Sequence, residues 1–281
     1  IFDGNTEHVF PAGFDPKKAA GIVRQQSGVP TATAADMLTR RGISSDTSDF
    51  DSDGIETPTV LIDTAAPPAA RYKLWYAGRK AHCQPVNDHR FGYAYSADGI
   101  NWTKYAGNPV LVPGTSADWY NSFVSSPSVL LENGVYKMWF GAPDAFVNNQ
   151  PTDGKGNIGY ATSADGINWN IHPAPVIIAG DQNNWDSACV AEPSVIKTGN
   201  TYHMFYSALD AWSVENFQVG YATSADGINW TKSNQNPVLS VGGAGQWDRF
   251  WASHPAVIYD AQQNKFRMWY TGRDTATITA L

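Results

Sequence analysis

Cysteine is scarce in this chain, and so is charge. Two cysteines among 281 residues, Cys83 and Cys189, permit one bridge or two free thiols and exclude a disulfide framework. Charged residues make up only 16%, and 19 Lys and Arg face 26 Asp and Glu, so the formal charge is -7 with no basic cluster. A nucleic-acid footprint needs a basic stripe, and nucleic acid is therefore excluded as a partner. No run of 18 apolar residues occurs, which excludes an apolar helix spanning a membrane. The chain opens at Ile1 with neither Met nor a signal-peptide pattern, as a mature, processed chain or a trimmed one would.

What is present is aromatic and hydroxylic. Hydrophobic residues reach 42%, an ordinary supply for a core, and aromatics 13%, with 11 Trp and 13 Tyr. Polar character comes mainly from Asn, Ser, Thr, Gly and Asp. This composition suits a β-rich protein, secreted or at the cell surface, that meets neutral, hydroxyl-rich ligands.

The phrase Ser-Ala-Asp-Gly-Ile-Asn-Trp stands at Ser96, Ser163 and Ser224, and a longer repeat surrounds it. Four apolar strands follow or contain Pro58, Pro127, Pro193 and Pro255, which are 69, 66 and 62 residues apart. Each is followed by an aromatic strand, such as RYKLWYAGR from Arg71 or KFRMWYTGR from Lys265. Three of the four then carry a Gly-Tyr strand, the Asp-Gly turn, and a closing NPVL, APVI or NPVL at Asn108, Ala174 and Asn236. Four short strands per unit, repeated in tandem, describe an all-β fold, a β-propeller of four-stranded blades.

The blades span residues 50–118, 119–184, 185–246 and 247–281, the last stopping after its second strand. Residues 1–49 lie outside the repeat as an N-terminal closing strand and insertion; the stretch from Glu7 resembles the closing strand at Asn108. A missing segment or a second chain is expected to complete the ring. Asp98, Asp165 and Asp226, each before Gly, supply tight-hairpin chemistry. The following Trp102, Trp169 and Trp230 are expected to pack between blades, so the repeated phrase is scaffold. Lys73, Lys137, His203 and Arg267 fall at one position of the aromatic strand and are expected to face solvent.

Function is sought where the repeats disagree. Immediately before the inner-strand prolines stand Thr57, Ser126, Glu192 and His254. After the aromatic strand come Lys80, Asp144, Asp210 and Asp274, with Arg79 and Arg273 preceding two of them. Carboxylates converging from several blades are what cleavage of a glycosidic bond requires, one as proton donor and one as base or nucleophile. Trp212 and Trp251, expected on the same face, are candidates for stacking on sugar rings. Asp49, Asp51 and Asp53 fit the opening of a calcium loop, making calcium the one possible cofactor, but position twelve holds Val60 instead of Glu. Asp51 also aligns with Asp186 and Asp248 in a blade-opening phrase expected to cap backbone amides. A metal set drawn from His82, Cys83, His89, Cys189 and His254 has no C-x-x-C or H-x-x-x-H spacing.

The YKMWF-type strands, the IGYATSADGINW hairpins and the PSVI inner strands together resemble the five-bladed propeller superfamily that includes glycoside hydrolase families 32, 43, 62 and 130. The resemblance covers residues 50–281 and implies a glycosidase acting on a poly- or oligosaccharide. Families 32 and 43 place an Asp before the inner-strand proline in two blades and a Glu near that of the third. By that resemblance Glu192 is the acid, one residue nearer its proline than usual. Thr57 and Ser126 replace the two Asp residues, so the further carboxylates would come from Asp53 or Glu56, from Asp144, or from beyond the repeat, with His254 assisting. The Asn-Asp-Pro-Asn-Gly phrase of invertases is absent. The alternative reading is a non-catalytic, glycan-binding or cell-surface structural propeller.

Overall fold

A computed structural model describes residues 50–52, 54–79, 89–143, 146–147, 150–151, 155–211 and 216–273. Within these the architecture is strand after strand, with one 3-10 turn at Pro68–Ala70. Blade one is β1 (Gly54–Ile62), β2 (Tyr72–Arg79), β3 (His89–Ser96) and β4 (Thr103–Lys104), paired in that order. Blade two is β5 (Ser125–Glu132), β6 (Val135–Pro143), the small hairpin β7 (Phe146–Val147) and β8 (Gln150–Pro151), then β9 (Gly156–Ser163) and β10 (Asn170–Ile171). Blade three is β11 (Cys189–Thr198), β12 (Thr201–Leu209), β13 (Gln218–Ser224) and β14 (Trp230–Lys232). Blade four is described as β15 (Trp251–Asp260) and β16 (Lys265–Arg273). No helix among the described residues is long and apolar enough to cross a membrane. The N-terminal closing strand and insertion, and residues 274–281, lie outside the described residues.

The chain divides into two compact units. One holds Ile1–Pro113, Phe123–Lys137 and Thr162–Asn170; the other holds Gly114–Ser122, Met138–Ala161 and Ile171–Leu281. In each unit the repeated phrase clasps a tryptophan of the blade before it. In the first, the Trp75 indole Nε1 donates to the Gly166 carbonyl at 2.7 Å, and Trp169 lies edge-on to Trp75 at 6.1 Å. In the second, Trp139 donates to the Gly227 carbonyl at 2.7 Å, and Trp230 lies edge-on to it at 6.2 Å. Both clasped tryptophans are fully buried. Trp102 differs: it packs on its own blade against Ile55, Leu74, Tyr76 and Ala94.

The turn itself explains why the phrase is invariant. In all three copies the Asp Oδ1 accepts the backbone amides two and three residues on, at 2.8 Å, and Oδ2 accepts the Asn amide group at 2.7 Å. Gly99, Gly166 and Gly227 have φ of 71°, 77° and 82°. A Cβ on Gly166 would stand 2.7 Å from Cζ2 of Trp75, and one on Gly227 2.8 Å from Cζ2 of Trp139. Glycine is therefore demanded by backbone and neighbour together.

Asn of the NPVL phrase has a second local task. Asn108 Oδ1 accepts the Tyr93 amide at 2.8 Å while its Nδ2 donates to the Tyr93 carbonyl at 3.0 Å, and Asn236 treats Tyr221 likewise. The closing residues thus dock on the Gly-Tyr strand with side-chain bonds where strand pairing is short.

Two expectations change. Among the described residues Asp51, Asp186 and Asp248 bind side chains and not backbone amides: Asp51 accepts the Tyr76 hydroxyl and the Lys104 ammonium, Asp186 the Lys232 ammonium, and Asp248 the Tyr270 hydroxyl. The cation position of the aromatic strand is not uniformly at the surface. Arg267 is exposed, but Lys73 is buried, with Nζ 3.1 Å from the Tyr93 hydroxyl and 3.9 Å from Asp63. Burial first, and Asp63's charge second, push the Tyr93 phenol up to about 12. His203 has both ring nitrogens engaged, by Thr198 at 2.8 Å and Tyr221 at 2.7 Å, and burial lowers its pKa.

Two outcomes follow from the clasp. Gly166→Ala is expected to destabilise by about 1–3 kcal/mol in denaturant unfolding, the scale of a strained left-handed residue. Gly134→Ala, at φ 78° with open space around it, should cost less because only the backbone penalty remains. The second outcome concerns acid. Burial raises the Asp98 and Asp165 carboxyl pKa values, but amide and side-chain donors outweigh it; at Asp226 the Asn229 amide dominates, and all three lie well below the ordinary range. The native carboxylates hold protons less tightly than the unfolded ones, so their contribution is complete above the unfolded value of about 3.9 and is lost as pH falls below it. Melting temperature should be insensitive to these groups above about pH 5 and drop below about pH 4, with a shallower acid slope in Asp165→Asn.

Candidate active site

Each inner strand carries the same backbone anomaly. Thr57, Ser126, Glu192 and His254 have φ of 46°, 53°, 54° and 51°, and each directly precedes a proline. Proline's Cδ disfavours the right-handed helical region for the residue before it, and the left-handed region costs a non-glycine residue about 1–2 kcal/mol. In β1, β11 and β15 the register slips between Glu56 and Thr59, Ala191 and Ser194, and Ser253 and Ala256. One extra residue is accommodated there as a bulge, which suits a proline with no amide to donate and re-aims the side chain beside it.

The re-aimed side chains cap the next blade. In the first unit Thr57 Oγ1 accepts the Ser126 amide at 3.2 Å. In the second, Glu192 Oε2 accepts the His254 amide at 2.9 Å. One strained residue thus satisfies the amide of the following one. Thr59 and Ser194 repeat the pattern two residues on, accepting the amides of Val129 and Val257 at 3.4 and 3.1 Å.

Glu192 does more than cap. Its Oε1 stands 3.0 Å from Nε2 of His254, and its side chain is 14% exposed against 30% for the imidazole. Ser253 Oγ lies 3.1 Å from His254 Nδ1, and Ser207 Oγ also accepts the His254 amide at 2.9 Å. With Ser253 donating into Nδ1, the Nε2–H tautomer faces Glu192, so both carboxylate oxygens serve as acceptors. Ser207 and Ser253 are fully buried. Cys189 is a buried free thiol whose pKa is pushed up by burial and then by the Glu192 charge. The pair is partly open and oriented on both sides.

Sequence reasoning missed both serines. Ser207 stands where the other aromatic strands have Ala77, Gly141 and Thr271; a hydroxyl entering a small-residue position of the blade that bears Glu192 was the available signal.

The expected opposition of the two ends holds within blade three. Ser224, at the head of the Asp-Gly turn, pairs with Tyr202, which pairs with Lys197, while Glu192 and Asp210 lie at the other end of the same strands. Asp210 is exposed, and its carbonyl accepts the Ser187 hydroxyl at 3.0 Å. Trp251 and Arg273 are register partners, and the guanidinium sits 3.9 Å from the indole ring centroid, with Phe217 edge-on at 5.5 Å. Arg273 therefore occupies one face of the ring expected to receive a sugar. In the first unit Glu56 lies 3.4 Å from His89 and 4.0 Å from Arg79. Asp49, Asp53, Lys80, His82, Cys83, Asp144, Trp212 and Asp274 lie outside the described residues. Asp51, of the calcium-loop reading, is buried and engaged by Tyr76 and Lys104. Among the described residues no three His, Cys, Asp or Glu side chains gather as a metal site would require.

The two kinds of pre-proline residue should respond differently to mutation. Ser126→Gly relieves the left-handed strain and is expected to be neutral or stabilising by up to about 1 kcal/mol. Glu192→Ala removes an acceptor from two His254 donors and should cost about 1–3 kcal/mol, both read by urea unfolding.

Comparisons with known proteins bear on this arrangement. Residues 131–280, just over half of the chain, match the family described as the glycosyl hydrolases family 32 N-terminal domain. An uncharacterized protein of Mycobacterium tuberculosis (strain CDC 1551 / Oshkosh) is 26% identical over 201 residues, covering 71% of this chain and 62% of its own length. A 1,2-beta-oligomannan phosphorylase of Thermoanaerobacter sp. (strain X514) is 23% identical over 133 residues, 47% of this chain and 44% of that protein. The chain thus spans less than two thirds of the length of these relatives. Among solved structures, the Bombyx mori GH32 beta-fructofuranosidase in complex with sucrose aligns with a TM-score of 0.57 at 14% identity, over 79% of this chain and 42% of that one. At that identity the likeness is one of fold, that of the β-propeller glycosidases.

Proposed function

The chain belongs to the family of the glycosyl hydrolases family 32 N-terminal domain, and from that membership we propose that it cleaves glycosidic bonds in an oligo- or polysaccharide by carboxylate acid/base catalysis. The observation that carries this reading is the Glu192–His254 contact of 3.0 Å at the two pre-proline positions that bear ionisable side chains. Such a pair moves a proton to a leaving oxygen that enters within about 2.6–3.2 Å. His254 aligns Glu192 through both its amide and its ring, so the carboxyl group meets the substrate in one orientation. Hydrolysis needs a second carboxyl group besides Glu192, for which the sequence offers Glu56 and Asp53. Arg79, Asp144, Asp210, Arg273, Asp274, Trp212 and Trp251 are the proposed sugar contacts.

A second reading is phosphorolysis, in which phosphate takes the place of water. It is favoured by the likeness to the oligomannan phosphorylase and to a beta-1,2-mannobiose phosphorylase of the same organism. Fructosides and β-1,2-mannosides incubated with and without inorganic phosphate separate the two. Free sugar formed without phosphate is expected for hydrolysis, and a sugar phosphate formed only with phosphate would replace that reading. In either case Glu192→Gln should keep the fold and lower turnover by about two orders of magnitude or more. Glycan binding without cleavage of any substrate would turn the assignment to a binding propeller.

A further inference from the structure

The amide of His254 has two acceptors where its counterpart in blade two has one. Glu192 Oε2 and Ser207 Oγ each stand 2.9 Å from the His254 nitrogen, so a single N–H is shared in a three-centre bond. In the first unit the Ser126 amide is met, among the described residues, by the Thr57 hydroxyl alone. The difference sits at one register position. Ala77 faces Glu56, the residue ahead of Thr57, and Ser207 faces Ala191, the residue ahead of Glu192. A second acceptor is thus present where the first can take up a proton, and absent where the first is a hydroxyl.

The reason is chemical. An ionised carboxylate only accepts, whereas a carboxyl group carries a donor hydroxyl and is the weaker acceptor at that oxygen. Glu192 Oε1 faces His254 Nε2 at 3.0 Å, and the Nε2–H tautomer keeps that oxygen an acceptor. Oε2 is left to carry the proton. The His254 amide then loses its charged partner, and a donor left unmet disfavours the state that creates it. Ser207, fully buried on β12, removes that penalty. Cys189 of the same strand as Glu192, the further titratable neighbour, is a buried thiol whose pKa is raised by burial and then by the Glu192 charge, so it does not compete for the proton.

We propose that Ser207 is a positioning residue that lets Glu192 change protonation state: its Oγ holds the His254 amide while Glu192 Oε2 carries the proton, and shares that amide once the proton has gone. The proton passes from Oε2 to the leaving oxygen, which keeps the electron pair of the broken glycosidic bond, and Glu192 is left as a carboxylate. The amide is satisfied before and after the transfer, so the backbone at His254 does not have to move with it. This inference rests on the hydrolytic reading of Glu192 and adds the residue that supports both of its states.

Hydrogen exchange of the His254 amide, followed by NMR, tests the shared bond without any turnover. Glu192→Ala alone is expected to speed exchange by less than about threefold, and Glu192→Ala combined with Ser207→Ala by at least about tenfold. Equally fast exchange in the single and the double variant overturns the proposal. Ser207→Ala by itself, which places there the residue type of blade one, tests the proton. A nitrophenyl glycoside leaves with little help from an acid, while a disaccharide needs the proton. Ser207→Ala should therefore lower turnover of the disaccharide at least about tenfold more than that of the nitrophenyl glycoside of the same sugar, compared for fructosides and mannosides, within the roughly 10²–10⁴-fold that proton transfer supplies. An equal loss on both substrates also overturns it. Wild-type protein that cleaves neither overturns the hydrolytic reading, and the exchange result then upholds or overturns the shared amide bond by itself.

Discussion

One contact occurs once in each unit, between blades one and two in the first and blades two and three in the second: an indole N–H of an aromatic strand donating to the carbonyl of a left-handed glycine in the next blade's turn. At 2.7 Å for both Trp75 and Trp139, it joins residues 91 and 88 positions apart. Its net worth as a hydrogen bond is only about 1 kcal/mol, but leaving that buried donor unmet would cost more. The contact also dictates the turn. The glycine must present its carbonyl and lack a side chain, the aspartate must hold the loop by its amides, and the following tryptophan must close the edge. These constraints act together on the copies at Ser163 and Ser224, and the copy at Ser96 keeps the same internal turn bonds.

The inner strands solve a different problem, and the solution creates the candidate site. A proline at the bulge removes a donor, and the residue ahead of it is held in a strained left-handed conformation. That strain persists because the next blade uses it, taking Thr57 or Glu192 as the acceptor for its own strained amide. At Thr57 a hydroxyl suffices. At Glu192 a carboxylate does the capping with one oxygen and keeps the other for His254. Structural and chemical roles therefore share one side chain.

The buried cations show how far packing can redirect a pattern. Lys73 sits among Asp63, Tyr93 and Tyr136, its Nζ 5.7 and 5.6 Å from the two ring centroids. At the equivalent position Arg267 is exposed and pairs with Asp260 at 2.7 Å. One repeat position thus yields a buried polar network in one blade and an ordinary surface ion pair in another, because the aromatic neighbours differ in how completely they close over it.

The strands, the four blades and the scaffold role of the Asp-Gly turn were legible in the sequence. Period-two alternation, proline and glycine act over a few residues, and three near-identical copies made the repeat plain. Glu192 and His254 were legible as departures from that repeat. The left-handed backbone at both, the hydrogen bond between residues 62 apart, and the buried serines that orient His254 were decided by tertiary structure alone. So were the burial of Lys73 and the commitment of Asp51, Asp186 and Asp248 to tyrosine and lysine. Each depends on what a neighbouring strand or blade brings within about 3 Å, and no local pattern of residue types carries that distance.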